Sequence, residues 1–159
     1  YFDAERGESY VPYVVETSIG VDRMFLQVMS AAYTEEKLEN GEERVVLRIP
    51  AQLASTQVAV MPLVKKDGLP EVAQRIIDTL KYDYNVVYDE KDSIGKRYRR
   101  QDAVGTPFCV TVDHQTLEDG TVTVRRRDTM SQERVAIEAL PAMVDEEVSF
   151  RSLFKKLNL

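Results

Sequence analysis

The chain has 159 residues, 43% of them hydrophobic and 30% charged, with a formal charge of −6 and a single Cys and His. That balance excludes a disordered tail and suits about one folded domain, while no stretch approaches the roughly 18 apolar residues of a membrane helix. A lone Cys109 cannot close an intramolecular disulfide, and one Cys with one His leaves no zinc set, so a reducing cytoplasm and no metal site are expected.

The opening, Tyr1 to Glu8, is polar, lacks the apolar core of a signal peptide and does not begin with Met, which suggests a piece of a longer protein. Tyr13-Val14-Val15-Glu16-Thr17 has the β-branched and aromatic content of a strand. Ser18-Ile19-Gly20 reads as a tight turn. Val21, Met24, Phe25, Val28, Met29 and Ala32 then recur at helical spacing. Such a strand–turn–helix cannot bury both faces by itself, so its sheet is expected outside this chain, and its apolar stripe is expected to promote self-association. Thr34 to Asn40 with Gly41-Glu42-Glu43 reads as an exposed acidic loop. Arg44 to Pro50 is a short extended run, and Ala51 to Thr56 is the expected linker.

Gln57 to Val64 is a strand, expected to end at or near a sheet edge because Pro62 breaks its ladder. Asp67-Gly68 turns into a helix with Pro70 in its first turn and Val72, Ala73, Ile76, Ile77 and Leu80 as its buried stripe. Asn85 to Asp89 is a short second strand. Ser93 to Val104 reads as a polar helix closed by Gly105-Thr106-Pro107. Phe108, Val110 and Val112 alternate on a third strand, which turns Cys109 to the opposite face, packed rather than reactive. The Asp119-Gly120 turn leads to a fourth strand, where Val122 and Val124 alternate with Thr121, Thr123, Arg125 and Arg127. His114, in the connecting loop, is expected to be exposed. Gln132 to Ile137 is a fifth strand. Leu140, Met143, Val144 and Val148 form a last helix, and Ser149 caps a closing turn carrying Leu153, Phe154 and Leu157. Strand–helix–strand–helix–strand followed by a hairpin and a helix describes a three-layer α/β domain with a mixed five-stranded sheet.

Net charge argues against nucleic acid, but its distribution argues otherwise. Residues 1–50 hold 5 basic and 10 acidic side chains, and residues 51–159 hold 16 and 17. Within the second stretch the cations cluster as Lys96-Arg97-Tyr98-Arg99-Arg100 and Arg125-Arg126-Arg127. Catalytic patterns are thinner. Ser18 and Gly20 supply half of a nucleophile elbow, but Glu16 stands where its first glycine belongs, and no base is near in sequence. Neither a calcium loop nor a glycine-rich phosphate loop is present. The run Glu16 to Arg23 does more than turn the chain. It sets a carboxylate and a guanidinium around one turn, a pairing suited to an ammonium and to a phosphate or base.

Glu16-x-Ser18-x-Gly20-x-Asp22-Arg23 resembles the third signature motif of class II aminoacyl-tRNA synthetases, in the form found in the bacterial glycyl subtype. Val60-Met61-Pro62-Leu63, Ser93 to Asp102 with Gly105 to Phe108, and Val122 to Met130 are similar to successive blocks of that subtype's anticodon-binding domain. Arg126 departs from the pattern, since many relatives carry an acidic residue there. The resemblance implies a C-terminal piece: residues 1–50 as a strand–turn–helix remnant of the antiparallel catalytic domain, and residues 51–159 as an anticodon-binding domain. It implies that Glu16, Thr17, Ser18, Ile19 and Gly20 hold glycine, and that Gly20, Val21, Asp22 and Arg23 border ATP. The parent would activate glycine with ATP and magnesium, transfer it to tRNA(Gly), and act as a homodimer in the cytoplasm; the piece alone, lacking the first two signature motifs, would not activate glycine. Arg125 and Arg127, with Thr123, are expected on one exposed strip opposite the valines, where unpaired bases stack and bond. Arg126 is expected at the rim. The cluster over residues 96–100, with Arg99 and Arg100, belongs to a helix face that is either solvated or in RNA contact. The alternatives are a stand-alone RNA- or protein-binding module of the same fold, and a small flavodoxin-like nucleotide enzyme disfavoured by the missing phosphate loop.

Overall fold

A computed structural model describes residues 1–38 and 41–157; Glu39 and Asn40 of the expected acidic loop, and residues 158–159, lie outside the described residues. Two short strands, β1 (Phe2–Asp3) and β2 (Glu8–Ser9), pair antiparallel at the start. Residues 10–20 then run exposed and without regular structure. The strand expected over Tyr13 to Thr17 is therefore not formed. Strand propensity needs a neighbouring ladder to express itself, and no strand among the described residues pairs with this segment. The helix α1 (Val21–Ala32) does form, but its stripe is largely uncovered: Ala32 is buried while Phe25 and Leu26 stay exposed.

The expected acidic loop is instead half of a hairpin. β3 (Tyr33–Lys37) pairs antiparallel with β4 (Glu43–Leu47), in the register Tyr33–Leu47 through Lys37–Glu43. Gly41, at φ +81°, donates its N–H to the Leu38 carbonyl inside the turn. Charge explains why so polar a segment becomes a strand. Glu36 faces Arg44 across the ladder and accepts a 2.9 Å bond from it, giving a cross-strand ion pair.

The main sheet has five strands in the order β6-β5-β7-β8-β9: β5 (Val58–Pro62), β6 (Val86–Tyr88), β7 (Phe108–Val112), β8 (Thr121–Arg126) and β9 (Gln132–Ala136). β5 runs parallel to β6 and β7, and the β7–β8 and β8–β9 pairs are antiparallel, so the sheet is mixed as expected. β5 is an interior strand, which corrects the expectation of an edge at Pro62. Pro62 is tolerated because it is the last residue of β5, beyond the three residues that pair with β6.

Crossover direction sets the layers. The chain leaves β5 for β6 on one side, then returns past β5 to β7 on the other. Right-handed connections in opposite directions put their helices on opposite faces. Accordingly α2 (Leu69–Leu80) packs with α5 (Leu140–Val148) on the face of Val58, Val60, Phe108, Val110, Val122 and Val124. Each fully buried side chain of this set contributes about 1.5–3 kcal/mol of transfer free energy. On the other face α3 (Ile94–Val104) sets Ile94 and Tyr98 against Ala59, Met61 and Cys109. A short 3-10 turn (Ala51–Leu53) lies in the expected linker.

Between β7 and β8 the expected loop contains α4 (His114–Asp119), capped by Asp113, whose carboxylate accepts from the Thr116 N–H. His114 is exposed there, with Nε2 3.1 Å from Asp67. Ser149 caps α6 (Phe150–Lys156) by accepting from the Ser152 N–H, as its position predicts. The hairpin packs on α3, burying Arg44 and Val46, so residues before Ala51 share an interior with those after it.

Candidate nucleic-acid interface

α3 packs over β5 and β7 on its face of the sheet and reaches β8 at Arg125. On the same face of β8 and β9, Thr121 and Thr123 stay half-buried and Gln132 and Arg134 exposed, which leaves that half of the face open. Arg134 spans this open ground. It donates to the Thr121 and Thr123 hydroxyls at 2.7 and 3.1 Å and to Asp113 at 2.6 Å. Where α3 borders the open half lies a groove of about 460 Å³, lined by Glu42, Gly95, Lys96, Tyr98, Arg99, Arg125, Met130 and Gln132. Its rim carries the cations Lys96 and Arg99 and the carboxylate of Glu42, its walls hold a phenol ring and a thioether, and Gln132 brings an amide able to donate and accept.

The arginines separate into two groups. Arg125 shares the sheet face of Thr123, as the alternation predicts, but it is not exposed. Its side chain forks onto Asp102 of α3, with bonds of 2.8 and 3.0 Å, and only 3% of the residue reaches solvent. Its guanidinium carbon lies 4.8 Å from the centroid of the Tyr98 ring. Arg125 is therefore the floor of the groove rather than part of an exposed strip. Arg127 is buried too, donating to the Gly105 carbonyl at 2.8 Å and gripping Asp128 with two bonds of 2.8 Å. The expectation of an exposed Arg125–Arg127 strip is corrected on two counts: α3 lays Asp102 against Arg125, and the chain after β8 supplies Asp128 to Arg127, so each buried guanidinium has its own carboxylate.

Arg126 points with the valines, as expected, lies over Phe108 at 5.4 Å, and pairs with Glu133 and Glu147. On α3, Arg97 is buried against the carbonyls of Pro62, Leu63, Asp89 and Asp92. Arg100 holds Asp89 and Asp92. Arg99 reaches Glu42 at a loose 3.4 Å and lines the groove. Lys96 is exposed and has no ion-pair partner among the described residues. The basic cluster of α3 thus divides residue by residue: Lys96 and Arg99 present charge to the groove, while Arg97 and Arg100 hold the protein together. Burial pushes the Tyr98 phenol up, outweighing the opposing bond to Thr111, so the ring stays neutral and able to stack.

Met130, Gln132 and Arg134 were not legible as site residues, and Lys96 and Tyr98 only as members of the basic cluster over residues 96–100. The period-2 pattern of β9 places Gln132 and Arg134 on one face, but only the β8–β9 register shows that face to be the open one.

The second candidate region is looser. Ser18, Gly20, Val21, Asp22 and Arg23 line an open depression of about 500 Å³ at the start of α1. Glu16 lies in the exposed segment before it and does not line it. Among the described residues, no side-chain hydrogen bond or ion pair joins Glu16, Thr17, Ser18, Ile19 or Arg23 to any other group. Nor do three or more His, Cys, Asp or Glu side chains gather where they could hold a metal ion among the described residues. No helix among them is long and apolar enough to cross a membrane.

Residues 57–147 match the family described as anticodon binding domain. The chain is 49% identical over 148 residues to the glycine–tRNA ligase of Borrelia hermsii (strain HS1 / DAH), covering 93% of this chain and 33% of that protein. It is 50% identical over 148 residues to the glycine–tRNA ligase of Clostridium acetobutylicum, covering 93% of this chain and 32% of the relative. The chain thus spans about a third of the length of the curated relatives it matches. Among solved structures, the RNA binding domain of threonyl-tRNA synthetase from Cryptosporidium parvum Iowa II superposes with a TM-score of 0.57 at 21% identity, over 63% of this chain and 25% of that one. The similarity in that case is of fold.

Proposed function

Because the chain belongs to the anticodon-binding-domain family, we propose that the groove beside α3 receives unpaired bases of the anticodon loop of glycine tRNA, for a glycine–tRNA ligase. One observation carries this reading. The groove beside α3 sets two outward cations, an aromatic ring and an amide together, with Glu42 beside Arg99, and cation, ring and amide are the combination that binds single-stranded RNA by phosphate contact, stacking and edge reading. Lys96 and Arg99 take the backbone phosphates. Tyr98 and Met130 offer surface to a base, and Gln132 reads its edge. Arg125 forms the floor, and Thr123 belongs to the adjoining open face. Arg100, Arg126 and Arg127 are committed to protein partners and serve the surface by shaping it.

The 47–50% identity to glycine–tRNA ligases extends ahead of the family match, over up to 98% of the chain. On that ground Glu16, Thr17, Ser18, Ile19 and Gly20 are assigned to glycine, and Gly20, Val21, Asp22 and Arg23 to ATP, in the complete active site of a cytoplasmic homodimer. Residues 1–50 then belong to the catalytic side and residues 51–159 to the tRNA side. Glu16 supplies a carboxylate for the ammonium of glycine, and Arg23 a guanidinium for the nucleotide. The metal enters with the phosphates of ATP, and no residue of this chain is given to it.

Titration of a labelled anticodon stem-loop of glycine tRNA over a series of salt concentrations tests the reading. Binding weakens with salt, and Lys96→Ala or Arg99→Ala each lowers the slope of log Kd against log salt by about one. Equal affinity of wild type and both variants would exclude the groove as the contact surface.

A further inference from the structure

Resting on the reading of the groove as an RNA site, we propose that Arg44 and Asp102 are positioning residues for it. Neither lines the groove, yet together they fix the plane of Arg125, so the β3–β4 hairpin is a working part of the RNA site. Asp102 is fully buried, and both of its oxygens are used: Oδ1 accepts from Arg125, and Oδ2 accepts from Arg125 and from Arg44 Nε at 2.8 Å. Arg125 is thereby held edge-on by a fork and face-on by the Tyr98 ring. A guanidinium fixed in both directions presents one invariant surface at the floor of the groove.

The hold extends into the hairpin. Arg44 donates on to Glu36 at 2.9 Å, Glu36 also pairs with Arg48, Arg48 reaches Asp128 at 3.3 Å, and Asp128 grips Arg127. Cations and anions alternate from Arg125 at the groove to Arg127 beyond β8, and the three middle members belong to β3 and β4 or the residue after them. Arg44 also donates to the Arg127 carbonyl, which closes the circuit. One carboxylate between two buried guanidiniums keeps its position only while both pull on it. Without the Arg44 Nε bond, Asp102 is free to tilt and Arg125 tilts with it.

The test uses the 159-residue chain, a labelled anticodon stem-loop of glycine tRNA and a scrambled-loop control, across a salt series with melting curves in parallel. Arg44→Lys keeps the charge and loses the planar set of donors that reaches Asp102, Glu36 and the Arg127 carbonyl together. It is expected to weaken the cognate loop about tenfold and the scrambled loop less than twofold, with the salt slope unchanged because no phosphate contact is removed. Asp102→Asn, of the same shape, is expected to shift the same readout in the same direction. Lys96→Ala is expected to weaken both RNAs alike and to flatten the slope. Should Arg44→Lys and Asp102→Asn leave the preference between the two loops intact while Lys96→Ala behaves as described, the positioning role falls and the RNA site stands. Failure of the wild-type chain to bind either RNA overturns both. Unfolding of both positioning variants would assign the pair to stability alone and also overturn the proposal.

Discussion

Arg44 and Asp102 are 58 positions apart in the chain, yet Nε of one lies 2.8 Å from Oδ2 of the other with both side chains sealed from water. Burial by itself would push the Arg44 guanidinium down. Its bonds to Asp102 and Glu36 outweigh that cost and leave it displaced upward. The Arg44 guanidinium therefore stays charged where an isolated charge would not survive. The pair joins the hairpin to α3, and through Arg125 it joins both to the groove.

Removing the shared anion leaves the buried Arg125 without a counter-charge and Arg44 with Glu36 alone. Asp102→Ala is expected to cost about 3–5 kcal/mol of folding free energy, the range for breaking a buried pair by deleting one partner. Urea unfolding measures it, and a loss below about 1 kcal/mol would contradict the pairing as a stabilising contact.

Gly105 ends α3 at φ +85°, and a Cβ there would meet Ile49 Cγ2 at 2.9 Å and the Leu47 carbonyl oxygen at 3.0 Å. Gly105→Ala combines left-handed strain with a clash against the chain following β4, for a loss of about 2 kcal/mol or more. Gly68→Ala has similar strain, φ +79°, but open space around it, so a loss of about 1 kcal/mol is expected. Thermal melting of the two variants side by side separates strain from clash.

Cys109 is buried between the sheet and α3, and that burial pushes its thiol up to about 12. A thiol lacking both access and thiolate is inert. In native protein at neutral pH, an aromatic disulfide reagent is expected to release chromophore only at the rate of unfolding, and to react at once in denaturant. Rapid stoichiometric labelling of the folded chain would refute the burial.

Donation from the Thr121 hydroxyl, then from the Gln115 amide and the Thr121 N–H, holds the Asp119 carboxyl down at about 2. The folded value lies below the unfolded one. The stabilisation is therefore complete above about pH 4 and lost as pH falls from about 4 through about 2. Asp119→Asn is expected to flatten the fall of the urea midpoint across that window. Parallel acid limbs for variant and wild type would remove Asp119 from the cause.

Much of the fold was legible because backbone geometry imposes its own period. Alternation at Phe108, Val110, Val112, Val122 and Val124, and helical recurrence from Val72 to Leu80, marked elements and their apolar faces before any contact was known. Two of the misread segments share one cause. Tyr33 to Lys37 has no apolar alternation and becomes a strand because Glu36 meets Arg44 across the ladder. Tyr13 to Thr17 has strand propensity and stays exposed and unpaired because no strand among the described residues completes its ladder.

The sequence alone determined the five strands of the mixed sheet, the side of β8 on which Arg125 lies, and the family to which the blocks from Val60 to Met130 point. Tertiary structure decided which cations face outward. Parity along a strand gives the face of a side chain, but exposure depends on what lies over that face. Here the crossover from β6 to β7 carries α3 across half the sheet and brings Asp102 onto Arg125. That single placement turns an expected contact strip into the floor of a groove, and leaves Lys96 and Arg99 at its edge.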